Sequence, residues 1–78
     1  MLTAIQCKMA RVALSWGVRD LAKVADISAN TVSRFETGKN EPNPVTLKSI
    51  QRAFEAAGVR FEGSGVFPPE PPEEGEAK

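Results

Sequence analysis

The segment from Val18 to Phe35 constrains this chain more than any other. Val18, Leu21, Ala22 and Ala25 fall at i, i+3, i+4 and i+7, the spacing of one helical face, and the pattern lasts only about two turns. Asp26-Ile27-Ser28 follows at once. Ser28 is a good N-cap for a second short helix over 28–37, in which Val32 and Phe35 face inward and Gly38 is placed to end the helix in the left-handed conformation. Two helices in such quick succession need a small residue where they cross, a turn that tolerates a left-handed residue, and apolar anchors on the second helix. Ala22, Asp26, Ile27, Val32 and Phe35 meet those demands, which leaves Ala29, Asn30, Ser33 and Arg34 outward and uncommitted to the core.

The flanks supply the rest of a helical domain. Thr3-Ala-Ile-Gln6 has capping-box spacing, with Leu2 and Cys7 placed for a hydrophobic staple. Ile5, Met9, Val12, Ala13 and Trp16 then recur at helical spacing, and Cys7, Ala10 and Leu14 widen the arc, predicting a first helix buried on more than one side. Lys39 to Asn43 reads as a loop. Asn43 as N-cap with Pro44 at the first helical position opens a fourth helix, lined by Leu47, Ile50, Phe54 and Ala57 and stopped by Gly58. Val59-Arg60-Phe61 alternates like a very short strand without a second strand in the chain, and is expected to pair with a partner's copy. From Gly63 onward proline, glycine and acid dominate, predicting a disordered tail over 63–78.

Composition narrows the function classes. The 78 residues suit one domain with a modest core, for which a dimer is a natural support. There is one cysteine and no histidine, which argues against a disulfide, a zinc set or an imidazole base, so no metal, cofactor or enzymatic activity is expected. No apolar run approaches a membrane span and the start does not read as a signal peptide, so a cytoplasmic protein is expected. The zero net charge hides an asymmetry: residues 1–61 hold nine Lys/Arg against five acids, whereas 62–78 hold five acids and one lysine. A basic body suits a polyanionic partner.

The run Trp16-Gly-Val-Arg-Asp-Leu-Ala-Lys-Val-Ala-Asp-Ile-Ser-Ala-Asn-Thr-Val-Ser-Arg-Phe-Glu-Thr-Gly-Lys39, followed by Pro42-Asn-Pro-Val-Thr-Leu47, resembles the xenobiotic-response-element family of helix-turn-helix regulators, which includes phage repressors and Cro proteins. The likeness extends over Gln6 to Phe61, and its combination of motifs is far more specific than any one dipeptide. The ending Glu-Ala-Ala-Gly-Val-Arg-Phe is similar to very short, single-domain members. The resemblance implies an all-α, four- to five-helix, lambda-repressor-like domain over 1–62 with a short C-terminal strand and an acidic tail. It also implies a bacterial or phage repressor that binds duplex DNA as a homodimer, with half-sites about one helical turn apart.

Helix 28–37 then becomes the recognition helix, with Ser28, Ala29, Asn30, Thr31, Ser33 and Arg34 as base readers. Asn30 suits adenine, Arg34 guanine, and Ala29 a thymine methyl. Gly17, Val18, Arg19, Lys39 and Asn40 stand where the family grips phosphates. Arg11 and Glu36 are implied as an internal ion pair, and the fourth helix with the strand, through Phe54, Val59 and Phe61, as the dimer interface. Two departures stand out: Gly17-Val18 replaces the usual Ser/Thr-Gln, removing a phosphate-clamping amide, and Asp26 replaces the usual turn glycine. The lost amide and the appended tail motivate an alternative, an antitoxin-like or bridging module that uses this fold to hold another protein, with the tail as a site for that partner. Trp16, Phe35 and Phe54 read as core, and Cys7 as an inert buried thiol.

Overall fold

Thr3 stands in extended backbone and opens α1, Ala4–Ala13, with reciprocal capping bonds. Its Oγ1 accepts the Gln6 amide at 3.1 Å while Gln6 Oε1 accepts the Thr3 amide at 3.1 Å. The computed structural model describes residues 2–69. After α1 come α2 (Val18–Ala25), α3 (Ala29–Glu36) and α4 (Pro44–Ala56), then an antiparallel hairpin of β1 (Arg60–Glu62) and β2 (Gly65–Phe67). Over the described residues the fold is therefore four helices with one small two-stranded sheet.

All four helices stop by the same device. One residue turns left-handed at each end: Ser15 (φ 59°), Asp26 (61°), Gly38 (77°) and Gly58 (98°). The residue after it sends its N–H back five positions, Trp16 to Arg11, Ile27 to Ala22, Lys39 to Arg34 and Val59 to Phe54, at 2.9, 3.0, 2.9 and 3.1 Å. This Schellman closure satisfies carbonyls that the helix end would leave open. Ser15 ends α1 before Trp16, so the tryptophan joins the core from the α1–α2 turn rather than from the helix.

Phe54 is the centre of the core. It is fully buried, with Trp16 stacked on it at 5.8 Å between ring centroids and Phe61 edge-on at 6.0 Å. Leu21, Val32, Ile50, Val59 and Cys7 are also fully buried, and Ala10, Ala22, Ala25 and Ala53 keep the helices close. Two-turn helices are marginal alone, so α2 and α3 owe their stability to this packing.

Three expectations are corrected. Helix α1 is buried on one side only: Cys7 and Ala10 face the core, while Ile5 is 71 % and Val12 61 % exposed and Met9 is also exposed. The core lies on one side of α1, where it meets α3, α4 and β2, and no further described helix covers the other side. The strand at Arg60–Glu62 does have a second strand within the chain: Gly65–Phe67, placed in the tail by composition, pairs with one edge of it as Arg60–Phe67, Phe61–Val66 and Glu62–Gly65. Residues 70–78 of that expected tail lie outside the described residues. Finally, Phe54 and Val59 are spent on the protomer's own core and offer a partner no side-chain surface, whereas Phe61 is half-buried.

Candidate nucleic-acid interface

Helix α3 is fixed at both ends and open along one face. At its start Ser28 Oγ accepts the Thr31 amide at 3.1 Å and lies 2.8 Å from the Thr31 hydroxyl, so both hydroxyls are engaged with each other. Val32 and Phe35 anchor the inner face, and Ala29 packs half-buried against the same core rather than standing free. Asn30, Ser33 and Arg34 remain exposed, and none of their side chains has a hydrogen-bond partner among the described residues. At the far end Thr37 Oγ1 donates to the Ser33 and Arg34 carbonyls at 3.0 and 3.3 Å.

The orientation of α3 is set by a buried charge pair. Arg11 of α1 meets Glu36 of α3 through Nε to Oε2 and Nη2 to Oε1, both at 2.9 Å, and its Nη1 donates to the Trp16 carbonyl at 2.9 Å. The two side chains are 15 % and 6 % exposed. This fork geometry holds three segments together: α1, the α1–α2 turn and the end of α3. The hydrogen bond that Arg11 donates to the Glu36 carboxylate raises the guanidinium pKa further. Cys7 Sγ lies 3.5 Å from Glu36 Oε2, and burial together with that carboxylate pushes the thiol well above its ordinary range, so it stays protonated and unreactive.

The residues expected at phosphates fall into two groups. Helix α2 has no side-chain N-cap, because Gly17 carries no hydroxyl; the Gly17 amide itself donates to Asp20 Oδ2 at 2.7 Å. That amide is committed, and the Val18 side chain is half-buried against the core, which leaves the Arg19 side chain and the first amides of α2 outward. Beyond α3, the Lys39 and Asn40 amides both return to the Arg34 carbonyl, at 2.9 and 3.3 Å, holding a loop whose Lys39 and Asn40 side chains are exposed.

Two tight turns, a protected inner face and an outward polar face on the second helix define one motif. A helix-turn-helix family model matches residues 8–57. The chain belongs to that family, in its xenobiotic-response-element branch. No curated protein matches the chain. Helix-turn-helix domains of this kind are DNA-binding regulators rather than enzymes, and double-stranded DNA is their partner. Among the described residues no helix is long and apolar enough to cross a membrane.

One contributor escaped the sequence reading in part. Gln6, recognised there for its cap, is 3 % exposed and its Nε2 also donates to the Gly63 and Gly65 carbonyls at 2.9 and 3.2 Å, tying the hairpin to the start of α1. The available signal was Phe61-Glu-Gly-Ser-Gly-Val-Phe67, two short apolar stretches about a Gly-Ser turn.

Proposed function

We propose that the chain is a homodimeric, sequence-specific transcriptional repressor that reads the major groove with α3. The observation that carries this reading is the exposed, unpartnered trio Asn30, Ser33 and Arg34 on a helix whose other face and both ends are fixed. Asn30 is chemically suited to adenine N6/N7 and Arg34 to guanine O6/N7, while Ser33 can donate or accept. Ser28, Ala29 and Thr31 contribute less, being spent on the cap or the core. Arg19, Lys39 and Asn40 take the phosphates, with the amides of Val18 and Arg19 at the α2 N-terminus replacing the missing glutamine clamp. Such a regulator works in the cytoplasm of a bacterium or for a phage.

Site selection from a random duplex library, followed by titration of the best site against scrambled DNA at two salt concentrations, tests this. The selected site should bind about 10³-fold tighter or better, and Arg34→Ala should lose most of that preference while keeping weak, salt-sensitive binding. Equal binding to both DNAs at physiological salt overturns it.

The exposed stripe Ile5, Met9 and Val12 on α1 favours a second reading, an antitoxin-like or bridging module that holds another protein. A partner that co-purifies at fixed stoichiometry and is released by Ile5→Lys or Val12→Lys supports that reading.

A further inference from the structure

The two edges of the hairpin differ. β2 lies against α1, and Gln6 covers the turn from that side through the Gly63 and Gly65 carbonyls. Among the described residues the sheet has two strands, so no strand lies along the outer edge of β1, and the groove lined by Gly58 to Glu62 has Glu55 at the end of α4 as its other wall. Gly63 has φ 60° while Ser64 has no positive φ, which makes Gly63-Ser64 a two-residue turn of type II′. In such a hairpin the pair next to the turn, Glu62 and Gly65, exchanges hydrogen bonds, and the alternation of an antiparallel ladder makes Phe61–Val66 the non-bonded pair. The Phe61 N–H and C=O therefore point away from β2, to the open edge.

We infer that this edge receives a second copy of the chain: β1 pairs antiparallel with the partner's β1 about a twofold axis at Phe61, giving one four-stranded sheet. The inference rests on the homodimer reading above and supplies its interface. With Phe61 opposite Phe61 of the partner subunit, both outward backbone groups are satisfied in a reciprocal pair. The same register sets Arg60 opposite Glu62 of the partner subunit, twice by symmetry. These are non-bonded positions, where facing side chains come closest, and opposite charges there attract. Arg60 and Glu62 already share the outer face of the protomer, 3.6 Å apart, with side chains 60 % and 62 % exposed.

Neighbouring registers lose this match. A slip that centres the axis on Glu62 opposes two carboxylates, one that centres it on Arg60 opposes two guanidinium groups, and slips by one residue turn the inward Phe61 to the outer face. The strand is thus complementary to itself in a single alignment, as an isologous contact requires. Three residues from each copy make a small contact, so the dimer is weak in free solution and gains when one operator holds both copies at high effective concentration.

The test is sedimentation equilibrium without DNA, on the native chain, on Arg60→Glu, on Glu62→Arg, and on an equimolar mixture of the two variants. The native chain should self-associate at high micromolar concentration, and each variant should associate roughly tenfold more weakly or worse, because like charges now face each other twice. The mixture should recover native strength, since an all-acidic strand then meets an all-basic one. A native chain that stays monomeric at millimolar concentration overturns the pairing, as do single variants that associate like the native chain or a mixture no tighter than its components. DNA is absent from the assay, so its failure leaves the groove-reading proposal to the Arg34→Ala titration, and a chain that selects no operator yet shows the charge-swap pattern keeps the pairing and loses the repressor.

Discussion

Between α1 and α3 the chain buries an ion pair beside the fully buried Cys7, whereas between α1 and the hairpin the side-chain hydrogen bonds come from one amide, that of Gln6. The two junctions start from Arg11 and Gln6, both on the same helix, yet they are built for different tolerances. Removing one partner of a buried charge pair leaves the other charged and dry, while removing an amide leaves carbonyls that nearby water can reach. The contrast teaches that the helical body is made not to yield and that the hairpin is the part of the domain most easily released.

The most severe way to break the body is Glu36→Ala, which strands the Arg11 guanidinium. It should cost about 3–5 kcal/mol, read as a shift of the urea midpoint, and leave much of the population unfolded at 37 °C. Gln6→Ala addresses the other junction. A loss of about 1–3 kcal/mol is expected, with faster amide exchange confined to Thr3 at the α1 cap and to Arg60, Glu62, Gly65 and Phe67 of the hairpin while α2 and α3 keep their protection; uniform loss of protection would show that hairpin and body are one cooperative unit.

The raised Cys7 thiol sharpens the picture of the body. Its folded value lies above its unfolded value near 9, so it contributes stability that is complete below that pH and is lost as pH rises, because the unfolded chain releases the thiol proton first. Native stability should fall by up to about 1.4 kcal/mol per pH unit above 9 relative to Cys7→Ala, measured by denaturation at pH 8, 9 and 10. The smallest expected effect is a gain: Ser15→Gly removes a left-handed Cβ and should add about 1 kcal/mol, with Asp26→Gly adding less because aspartate visits that region more readily.

Much of the body was legible in the sequence because its signals are local. Thr3, Ser28 and Asn43 announce helix starts, Gly38 and Gly58 announce ends, and the Val18–Ala25 and Val32–Phe35 spacings place the two short helices. The Arg11–Glu36 pair came from the family resemblance and not from spacing, since 25 positions separate its members. What failed had no local marker. Both sides of α1 carry apolar residues, so periodicity could not say which side meets the core, and the choice fell to Cys7 and Ala10 because small side chains allow close approach. The second strand was hidden because Gly65-Val-Phe67 borders a proline- and acid-rich run whose average composition masks three ordered residues.

Glu36 and Arg34 lie two positions apart on one helix, which separates their directions by about 200°. Whatever draws the carboxylate toward α1 therefore aims the guanidinium the opposite way, without any contact made by the guanidinium itself. Aim and grip are assigned to different residues: the helix phase points Arg34, and its own torsions stay free to settle on whichever base edge is presented.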